Sequence, residues 1–322
     1  MPEPVISVVI TTRNRQDELR RALRSCFSQE GVPFEVLVYD DESNDGTEAM
    51  VREEFPSVRM MRRDQRAGLI VRRNESFRDA RTDIVVSLDD DAFFTAPNTL
   101  KRIVELFERW PRAAALALPY VEPNARPDAV MMPASPSGAT LKGFSGGVSA
   151  LRRNVALEFG GFPELLVHQG EERDLCVRLL ENDWEIKYAD TAPIVHLYSL
   201  QREAARINYY GYRNTILFSW MRVPFPECIV YSMVATAKLL MYRFTFASLW
   251  SRIYPLGVGW WGIVQYWSQR VPVSRTAWRR YRNLIGHGPS AINDQEREHY
   301  VTLSELLGHR ETSTFMKGSG HV

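Results

Sequence analysis

The stretch Asp83-Ile84-Val85-Val86-Ser87-Leu88-Asp89-Asp90-Asp91-Ala92 places three adjacent carboxylates at the end of an apolar strand pattern. Adjacent carboxylates repel one another and lose hydration, so a fold keeps such a cluster mainly where a cation or several N–H donors neutralise it. An oxygen-only cluster favours Mg²⁺ or Mn²⁺ over zinc, and these ions are usually held by one or two carboxylates together with substrate phosphates. The run therefore predicts a divalent cation beside a nucleotide or diphosphate ligand; the alternative is a solvated acidic turn.

The composition is that of a globular protein with a sizeable core. The chain has 322 residues, 45% of them hydrophobic, and a net charge of +1. Cys26, Cys176 and Cys228 match no metal or redox spacing, so we expect buried thiols and a reducing, cytosolic compartment. The N-terminus lacks the pattern of a secretory signal. Of the two apolar runs, 228–241 is short and 244–267 is interrupted by charged, proline and glycine residues, so neither spans a membrane convincingly.

Apolar strand patterns alternate with amphipathic helix patterns over residues 5–120, which is typical of a parallel sheet with crossover helices. Asn14 is expected to cap the first helix. Residues 122–142 are rich in Pro, Ala and Ser and predict a loop beside the functional site. The last strand pair is predicted at 185–189 and 193–198.

A second set of acids follows the second strand pattern, in Tyr39-Asp40-Asp41-Glu42-Ser43-Asn44-Asp45-Gly46-Thr47. Because the carboxyl ends of parallel strands meet at one rim, this set should converge with the first. A carboxylate there can accept hydrogen bonds from a base N–H or from ribose hydroxyls. Asp45 and Ser43 can instead form a turn and cap a helix. Asp40 and Asp41 are the stronger binding candidates.

The chain resembles glycosyltransferase family 2 through a series of segments in a fixed order. They are VVITTRNR (8–15), VLVYDDESNDGT (36–47), GLIVRRN (68–74), DIVVSLDDDA (83–92), FSGGVSALRR (144–153), GGFPE (160–164), GEERDLCVRL (170–179) and PIVH (193–196). The resemblance covers residues 5–199. It implies an inverting enzyme that uses nucleotide-activated sugars and has the α/β GT-A fold, a Rossmann-like, mostly parallel sheet flanked by helices.

The resemblance also implies a donor site at the ends of the strands. Asp40 or Asp41 would hold the nucleobase and its ribose. Thr11, Arg13 and Arg73 would line the same donor site. On its own, Arg73 would pass for an ordinary surface arginine.

The three adjacent aspartates look like the metal and diphosphate motif of the family. Asp91 would be a direct ligand of Mn²⁺ or Mg²⁺, and Asp89 a second ligand. Asp89 or Asp90 would also touch ribose or sugar hydroxyls. His196 would complete the metal shell as a neutral imidazole, although a histidine on a strand more often has a structural role.

Sugar transfer with inversion needs a base that takes the proton of the acceptor hydroxyl. Glu172 stands where the family usually has the catalytic aspartate, and a glutamate is one methylene longer. The base is therefore Glu172 on a slightly retracted backbone, or Glu171. Neighbouring carboxylates raise one another's proton affinity, while Arg173 opposes that trend. Alternatively, the two glutamates only supply acids to the first turn of a helix.

Three regions are expected: a GT-A catalytic domain at 1–199, a basic, aromatic-rich helical extension at 200–285 and a polar tail at 286–322. Residues 201–285 carry twelve Arg or Lys against two Glu, and six of the eight tryptophans. This composition favours helices that lie on an anionic membrane surface. The alternative is a helical layer packed on the catalytic domain or on a partner subunit, including a second copy of the chain. No recognised module predicts nucleic-acid binding.

The resemblance, together with the acidic clusters, implies a metal-dependent, inverting glycosyltransferase. It would move a sugar from a nucleotide-diphosphate sugar to a saccharide or lipid-linked acceptor, in polysaccharide or glycolipid assembly, in the cytoplasm or on the inner face of the cell membrane. A sugar-phosphate nucleotidyltransferase is one alternative, but residues 11–15 are not the Gly-rich, basic loop expected after its first strand. A non-catalytic sugar-nucleotide-binding protein is another, and Asp91, Glu172 and His196 argue against it.

Overall fold

A seven-stranded sheet forms the centre of the computed structural model, which describes residues 2–122, 136–197, 204–241 and 249–288. The strands are β1 (Ile6–Thr12), β2 (Phe34–Asp41), β3 (Arg59–Arg63), β4 (Ile84–Asp89), β5 (Ala92–Phe93), β6 (Ala113–Ala117), β7 (Tyr120–Val121), β8 (Val148–Arg152), β9 (Glu185–Tyr188) and β10 (Ile194–His196). The helices are α1 (Gln16–Phe27), α2 (Thr47–Glu54), α3 (Leu69–Asp79), α4 (Thr99–Arg109), α5 (Arg153–Glu158), α6 (Glu171–Glu181), α7 (Ala204–Arg222), α8 (Glu227–Met241), α9 (Leu249–Gln265) and α10 (Arg275–Asn283).

The strand order of the large sheet is β3-β2-β1-β4-β8-β6-β9. Strand β8 is antiparallel to both its neighbours, β4 and β6, and the other four adjacent pairs are parallel. A small second sheet has the order β5-β10-β7. The predicted α/β class with a mostly parallel sheet is confirmed.

Alternating side chains of the strands fill two apolar cores, one on each face of the sheet. Val9 of β1 belongs to the core that includes Phe77 of α3, whereas Val8 and Ile10 belong to the core that includes Leu23 of α1. All of these side chains are buried. Burial of both strand faces explains why the central strands read as nearly continuous apolar runs in the sequence.

The register of β1 brings the two acidic strand ends together. Thr11 lies opposite Asp89 of β4 on one side and opposite Tyr39 of β2 on the other, and Thr12 lies opposite Asp40. Both acidic segments therefore leave the sheet at the same rim, as the sequence predicted.

Two strand predictions need correction. Residues 185–189 and 193–198 do not pair with each other, because β9 joins β6 whereas β10 lies between β5 and β7. Residues 142–150 are rich in glycine, which predicts a connection between elements, but they contain the start of β8, which inserts antiparallel between β4 and β6.

The predicted cap of the first helix is also wrong. Helix α1 begins at Gln16, whose backbone N–H donates to Asp45 Oδ2 at 3.1 Å. Asn14 has a φ of 52° and its Oδ1 accepts from the Asn44 N–H at 2.8 Å. The loops after β1 and β2 are thus joined to each other, which fixes the rim where the acids lie.

The helices after residue 203 pack, through their inner faces, on the core beside the seven-stranded sheet. Phe218 of α7 and Trp278 of α10 join the same buried core as Leu175 of α6. Helix α9 approaches α7 closely, because a Cβ at Gly262 would lie 2.6 Å from Leu217 Cδ2. The sequence left open whether the segment 200–285 packs on the preceding domain. Its described helices do pack there. Most of the predicted loop at 122–142 and of the tail at 286–322 lies outside the described residues.

The three cysteines are buried thiols, as the sequence predicts. Cys26, Cys176 and Cys228 are buried and free, and burial raises the pKa of the Cys26 thiol to about 12. In the part of the chain that the structure describes, none of the helices combines the length and the apolarity needed to cross a bilayer.

Candidate active site

A cavity of about 540 Å³ opens at the rim where β1, β2 and β4 end. All the site residues predicted from the sequence line it except Asp40. Residues from Thr11 to His196, which are far apart in the sequence, therefore line the same cavity.

Asp89, Asp91 and His196 form a cluster on one wall of this cavity. One ligand atom from each lies within 4.8 Å of the other two. His196 Nε2 is 3.2 Å from Asp91 Oδ1 and 3.8 Å from Asp89 Oδ2. Strand β10 carries the histidine there, because His196 pairs with Ala92 directly after the aspartates. Two carboxylates and one imidazole suit Mn²⁺ or Mg²⁺, so these residues fit the expected cation.

Glu122 orients the histidine from behind. Its Oε1 lies 3.2 Å from His196 Nδ1, so the Nε2 atom faces the aspartates. Burial would lower the pKa of His196, but the hydrogen bonds with Asp91 and Glu122 outweigh it and raise this pKa to about 10. A carboxylate behind a ligating histidine is a common arrangement at metal sites.

Asp90 is held by the protein itself. It accepts hydrogen bonds from Thr12 Oγ1 and Arg15 Nη1, both at 2.9 Å, and Arg15 Nη1 also donates to Asp91 Oδ2 at 2.8 Å. Burial raises the pKa of Asp90 to about 7, with Asp91 adding to the rise and Arg15 opposing it. Its predicted contact with sugar or ribose hydroxyls remains a prediction.

Arg73 connects the aspartate cluster to the glutamate pair. Its side chain is buried, and Nη2 donates to Asp89 Oδ1 at 3.3 Å. Its Nη1 lies 3.8 Å from Glu171 Oε1 and 4.0 Å from Glu172 Oε1. The guanidinium also lies over the Phe162 ring, 5.5 Å from its centroid. One buried cation therefore balances acids from β4 and α6.

The two glutamates at the start of α6 have different surroundings. Glu172 Oε1 accepts from the Gly146 N–H at 3.1 Å, and 24% of the side chain is exposed. Only 4% of the Glu171 side chain is exposed. Burial and the neighbouring Glu172 raise the pKa of Glu171 to about 8, against the effect of Arg73. Burial also raises the pKa of Glu172, again opposed by Arg73.

Two glycines allow the loop before β8 to approach these acids. A Cβ at Gly147 would lie 2.0 Å from Asp89 Oδ2, and a Cβ at Gly146 would lie 2.3 Å from Glu172 Oε1. The Gly147 carbonyl accepts from the Asp89 N–H at 2.9 Å. Only glycine fits at these two positions without displacing a site carboxylate.

The two aspartates at the end of β2 have different surroundings. Asp41 lines the cavity and accepts from the backbone N–H groups of Ala67 and Gly68 and from Arg72 Nε, at 2.8 to 2.9 Å. Burial would raise the pKa of Asp41, but these three donors lower it, so the carboxylate stays ionised. Asp40 is fully buried and accepts from the Ser43 N–H at 2.9 Å. A contact of either aspartate with a base or ribose remains a prediction.

The structure adds cavity residues to which the sequence gave no role. They are Arg15, Arg66, Glu122, His168, Gln169 and Arg206. Arg15 is the last residue of the segment 8–15, which carries part of the family resemblance, so its place in the site could have been predicted from the sequence. Glu122 is the first residue of the loop that the sequence predicts beside the site, but no local pattern gives Glu122 or Arg206 a role of its own.

Asn214 of α7 holds the loop that leads into the glutamates. Its Nδ2 lies 2.9 Å from the Leu166 carbonyl oxygen and 2.7 Å from those of His168 and Gln169. In this loop Gln169 has a φ of 70°. The helical extension therefore positions part of the cavity wall.

Known proteins resemble this chain over different lengths. An uncharacterized protein of Mycobacterium tuberculosis is 37% identical over 106 residues, which is 32% of this chain and 33% of that protein. The N-acetylglucosaminyl-diphospho-decaprenol L-rhamnosyltransferase of the same species is 25% identical over 269 residues, covering 68% of this chain and 87% of the relative.

The fold is that of solved glycosyltransferases. The mannosyltransferase PcManGT from Pyrobaculum calidifontis, in complex with GDP-Man and Mn²⁺, matches with a TM-score of 0.56 and 20% identity, over 88% of this chain and 79% of that one. The GT-A fold expected from the sequence is thereby confirmed. Residues 7–153 match the family described as Glycosyl transferase family 2. This match confirms, for residues 7–153, the resemblance to glycosyltransferase family 2 that the sequence predicts.

Proposed function

We propose that this glycosyltransferase moves a sugar, with inversion, from a nucleoside-diphosphate sugar to a hydroxyl of a lipid-linked saccharide acceptor. The observation that carries the proposal is the position of Arg73. Its guanidinium contacts Asp89 on one side and approaches Glu172 on the other. Asp89, next to which we propose the diphosphate, and Glu172, which we propose as the base, thus contact the same buried cation within one cavity.

Asp89, Asp91 and His196 would hold Mn²⁺ or Mg²⁺ next to the donor diphosphate. When bound, such a cation neutralises the charge that develops on a departing nucleoside diphosphate. Glu122 fixes the ring of His196, and Arg15 fixes the second oxygen of Asp91. These contacts preorganise the ligand atoms before the donor arrives.

Glu172 would act as the base. Its side chain is more exposed to the cavity than that of Glu171, and the Gly146 N–H orients it. The acceptor oxygen forms a bond to the anomeric carbon while the bond from that carbon to the diphosphate breaks, and Glu172 takes the hydroxyl proton. A pKa raised by burial increases the affinity of this carboxylate for the proton. No covalent enzyme intermediate is needed.

The class of acceptor is inferred from the named relative. The rhamnosyltransferase that shares 25% identity over most of its length takes its name from a diphospho-decaprenol-linked sugar. We therefore propose that this chain acts in polysaccharide or glycolipid assembly. Residues 1–199 would be its catalytic domain.

The donor can be found by thermal shift. A ligand that binds only the folded state raises the melting temperature, so nucleoside-diphosphate sugars are screened with Mn²⁺ present and again with a chelator. We expect one donor to stabilise the protein in the presence of Mn²⁺, and the chelator to remove the effect. If no nucleotide sugar stabilises the protein, the proposal fails.

Catalysis is tested next with that donor and prenyl-diphosphate-linked saccharides. We expect Glu172→Gln to lower the release of nucleoside diphosphate by about 10² to 10⁴-fold with donor binding retained. Cys176→Ala, a buried change on the same helix, should keep transfer activity. Proton NMR of the product reports the anomeric configuration, and retention of the donor configuration would contradict the inverting mechanism. Binding without any transfer would favour a non-catalytic protein.

A further inference from the structure

The outward side of α8 is apolar along its length. Val230, Met233, Val234 and Met241 are exposed, and they recur at the spacing of one helical face. Met233 is 61% exposed. The inward side of α8 is already occupied, since Ser232 and Ser219 of α7 hydrogen-bond to each other. The apolar outward side is therefore not used by the described core.

Helix α9 presents a second apolar face. Trp250, Tyr254, Trp261 and Val264 are exposed, again at helical spacing. The charged residue of this helix, Arg252, is buried and donates to the Leu239 carbonyl at 2.9 Å. The exposed side of a 17-residue helix thus carries no charge.

These two sides, called here the outer face of α8 and α9, belong to one helical pair. Trp260 of α9 donates from Nε1 to Thr236 Oγ1 of α8 at 3.1 Å. Large exposed apolar surfaces on soluble proteins mark sites of interaction. The outer face of α8 and α9 is therefore a candidate interaction surface.

Charge favours a lipid surface over a second copy of the chain. Residues 201–285 carry twelve Arg or Lys and two Glu, so the segment that presents this apolar face is strongly basic, and two copies joined through the face would place two basic segments next to each other. On the described residues, Lys238 is exposed on α8, and Arg275 reaches Glu227 at the start of that helix. Anionic headgroups complement these cations, and tryptophan and tyrosine side chains favour the headgroup level of a bilayer.

We propose that the outer face of α8 and α9 docks on the surface of an anionic phospholipid bilayer, with both helices lying in the plane of the interface. At 1.5 Å per residue the helices are about 22 Å and 26 Å long, and they insert only their apolar sides. Helix α9 packs on α7, which contributes Arg206 and Ile207 to the wall of the active-site cavity. Docking through α9 would therefore place α7, which lines the cavity, one helix layer away from the membrane surface.

Binding is measured by co-sedimentation of the full chain with vesicles, in the absence of any donor or acceptor. We expect the protein to bind vesicles that contain phosphatidylglycerol more strongly than vesicles of phosphatidylcholine alone, and added NaCl to weaken the binding. The double variant Met233→Ser/Trp261→Ser should lower the bound fraction by about tenfold. Val5→Ser, which removes an exposed apolar side chain at β1 of the catalytic domain, should bind as the wild type does.

The readout is independent of the transferase reaction, so failure of one proposal leaves the other testable. An unchanged melting temperature would show that the double variant is folded, and light scattering would report the oligomeric state. The docking proposal is wrong if the full chain does not co-sediment with either kind of vesicle. It is equally overturned if the wild type is a dimer that the double variant converts to a monomer, since a second copy would then cover the face.

Discussion

The buried guanidinium of Arg73 donates a hydrogen bond to Asp89 Oδ1 at 3.3 Å, so the first acid of the three-aspartate run is joined to α3. The same guanidinium approaches Glu171 and Glu172 within 4.0 Å. Acids that are distant in the chain can share this cavity because one cation lies among them. Arg73 therefore balances the charge between Asp89 and the two glutamates, while Arg15 pairs with Asp90 and Asp91.

Replacing Arg73 by Met should destabilise the fold. Removal of one partner of a buried ion pair leaves uncompensated charge and costs about 3 kcal/mol or more. We expect the loss in the free energy of unfolding to shrink at acidic pH, where the carboxylates take up protons. Urea denaturation at several pH values measures this.

Arg78→Met is the matched control on the same helix. The Arg78 side chain is 57% exposed and forms a surface ion pair with Glu164, at 3.7 Å. Exposed pairs of this kind contribute about 0 to 1 kcal/mol. Equal losses in the two variants would contradict the central role of Arg73.

The convergence of the acids could be predicted because it follows from strand periodicity. Apolar runs located β1, β2 and β4, and parallel pairing places their carboxyl ends at one rim. Thr11 lies opposite Asp89 as a direct result of that register. Local sequence is sufficient for this part of the site.

Other parts depend on contacts that no local pattern encodes. Glu122 reaches His196 because β7 and β10 pair in a small sheet of two- and three-residue strands. Strand β8 is only five residues long and follows glycines, so its insertion beside β4 is decided by tertiary packing. Asn214 of α7 donates hydrogen bonds to the loop before α6, which lies more than forty residues earlier in the chain.

The buried Glu171 should make the stability of the protein fall as the pH rises. Its pKa is about 8 in the folded state against an ordinary value of 4.5, so between these values the folded chain binds a proton that the unfolded chain lacks. The contribution is fully present below the lower value and is lost as the pH passes the higher one. Each unit of pKa difference corresponds to about 1.4 kcal/mol.

Glu171→Gln should remove this pH dependence. We expect the free energy of unfolding of the variant to rise relative to that of the wild type as the pH increases from 5 to 9. Glu108→Gln, an exposed change on α4, should follow the wild-type curve. Parallel curves for wild type and Glu171→Gln would show that Glu171 is already ionised in the folded state at neutral pH.

Metal binding should depend on Asp91 more than on Glu122. Asp91→Asn removes a charged ligand and should abolish the binding of Mn²⁺, whereas Glu122→Gln only loosens His196 and should weaken it by about 10 to 100-fold. Titration with Mn²⁺, followed by electron paramagnetic resonance, measures both. Asp190→Asn changes a surface partner of Arg102 and should leave binding unchanged. Wild-type affinity in Asp91→Asn would exclude this cluster as the metal site.

Gly147 and Gly143 offer a paired test of the close approach between the loop and Asp89. In Gly147→Ala the added Cβ would lie 2.0 Å from Asp89 Oδ2, so either the loop or the carboxylate has to move. At Gly143, apart from its two chain neighbours, no atom of the described residues lies within 4 Å of an added Cβ. Because Asp89 contacts both Arg73 and the proposed cation, we expect Gly147→Ala to weaken Mn²⁺-dependent donor binding by about tenfold or more, which corresponds to about 1.4 kcal/mol. Gly143→Ala should retain wild-type affinity in the same thermal-shift titration. If Gly147→Ala binds the donor as the wild type does, the position of Asp89 does not govern donor binding.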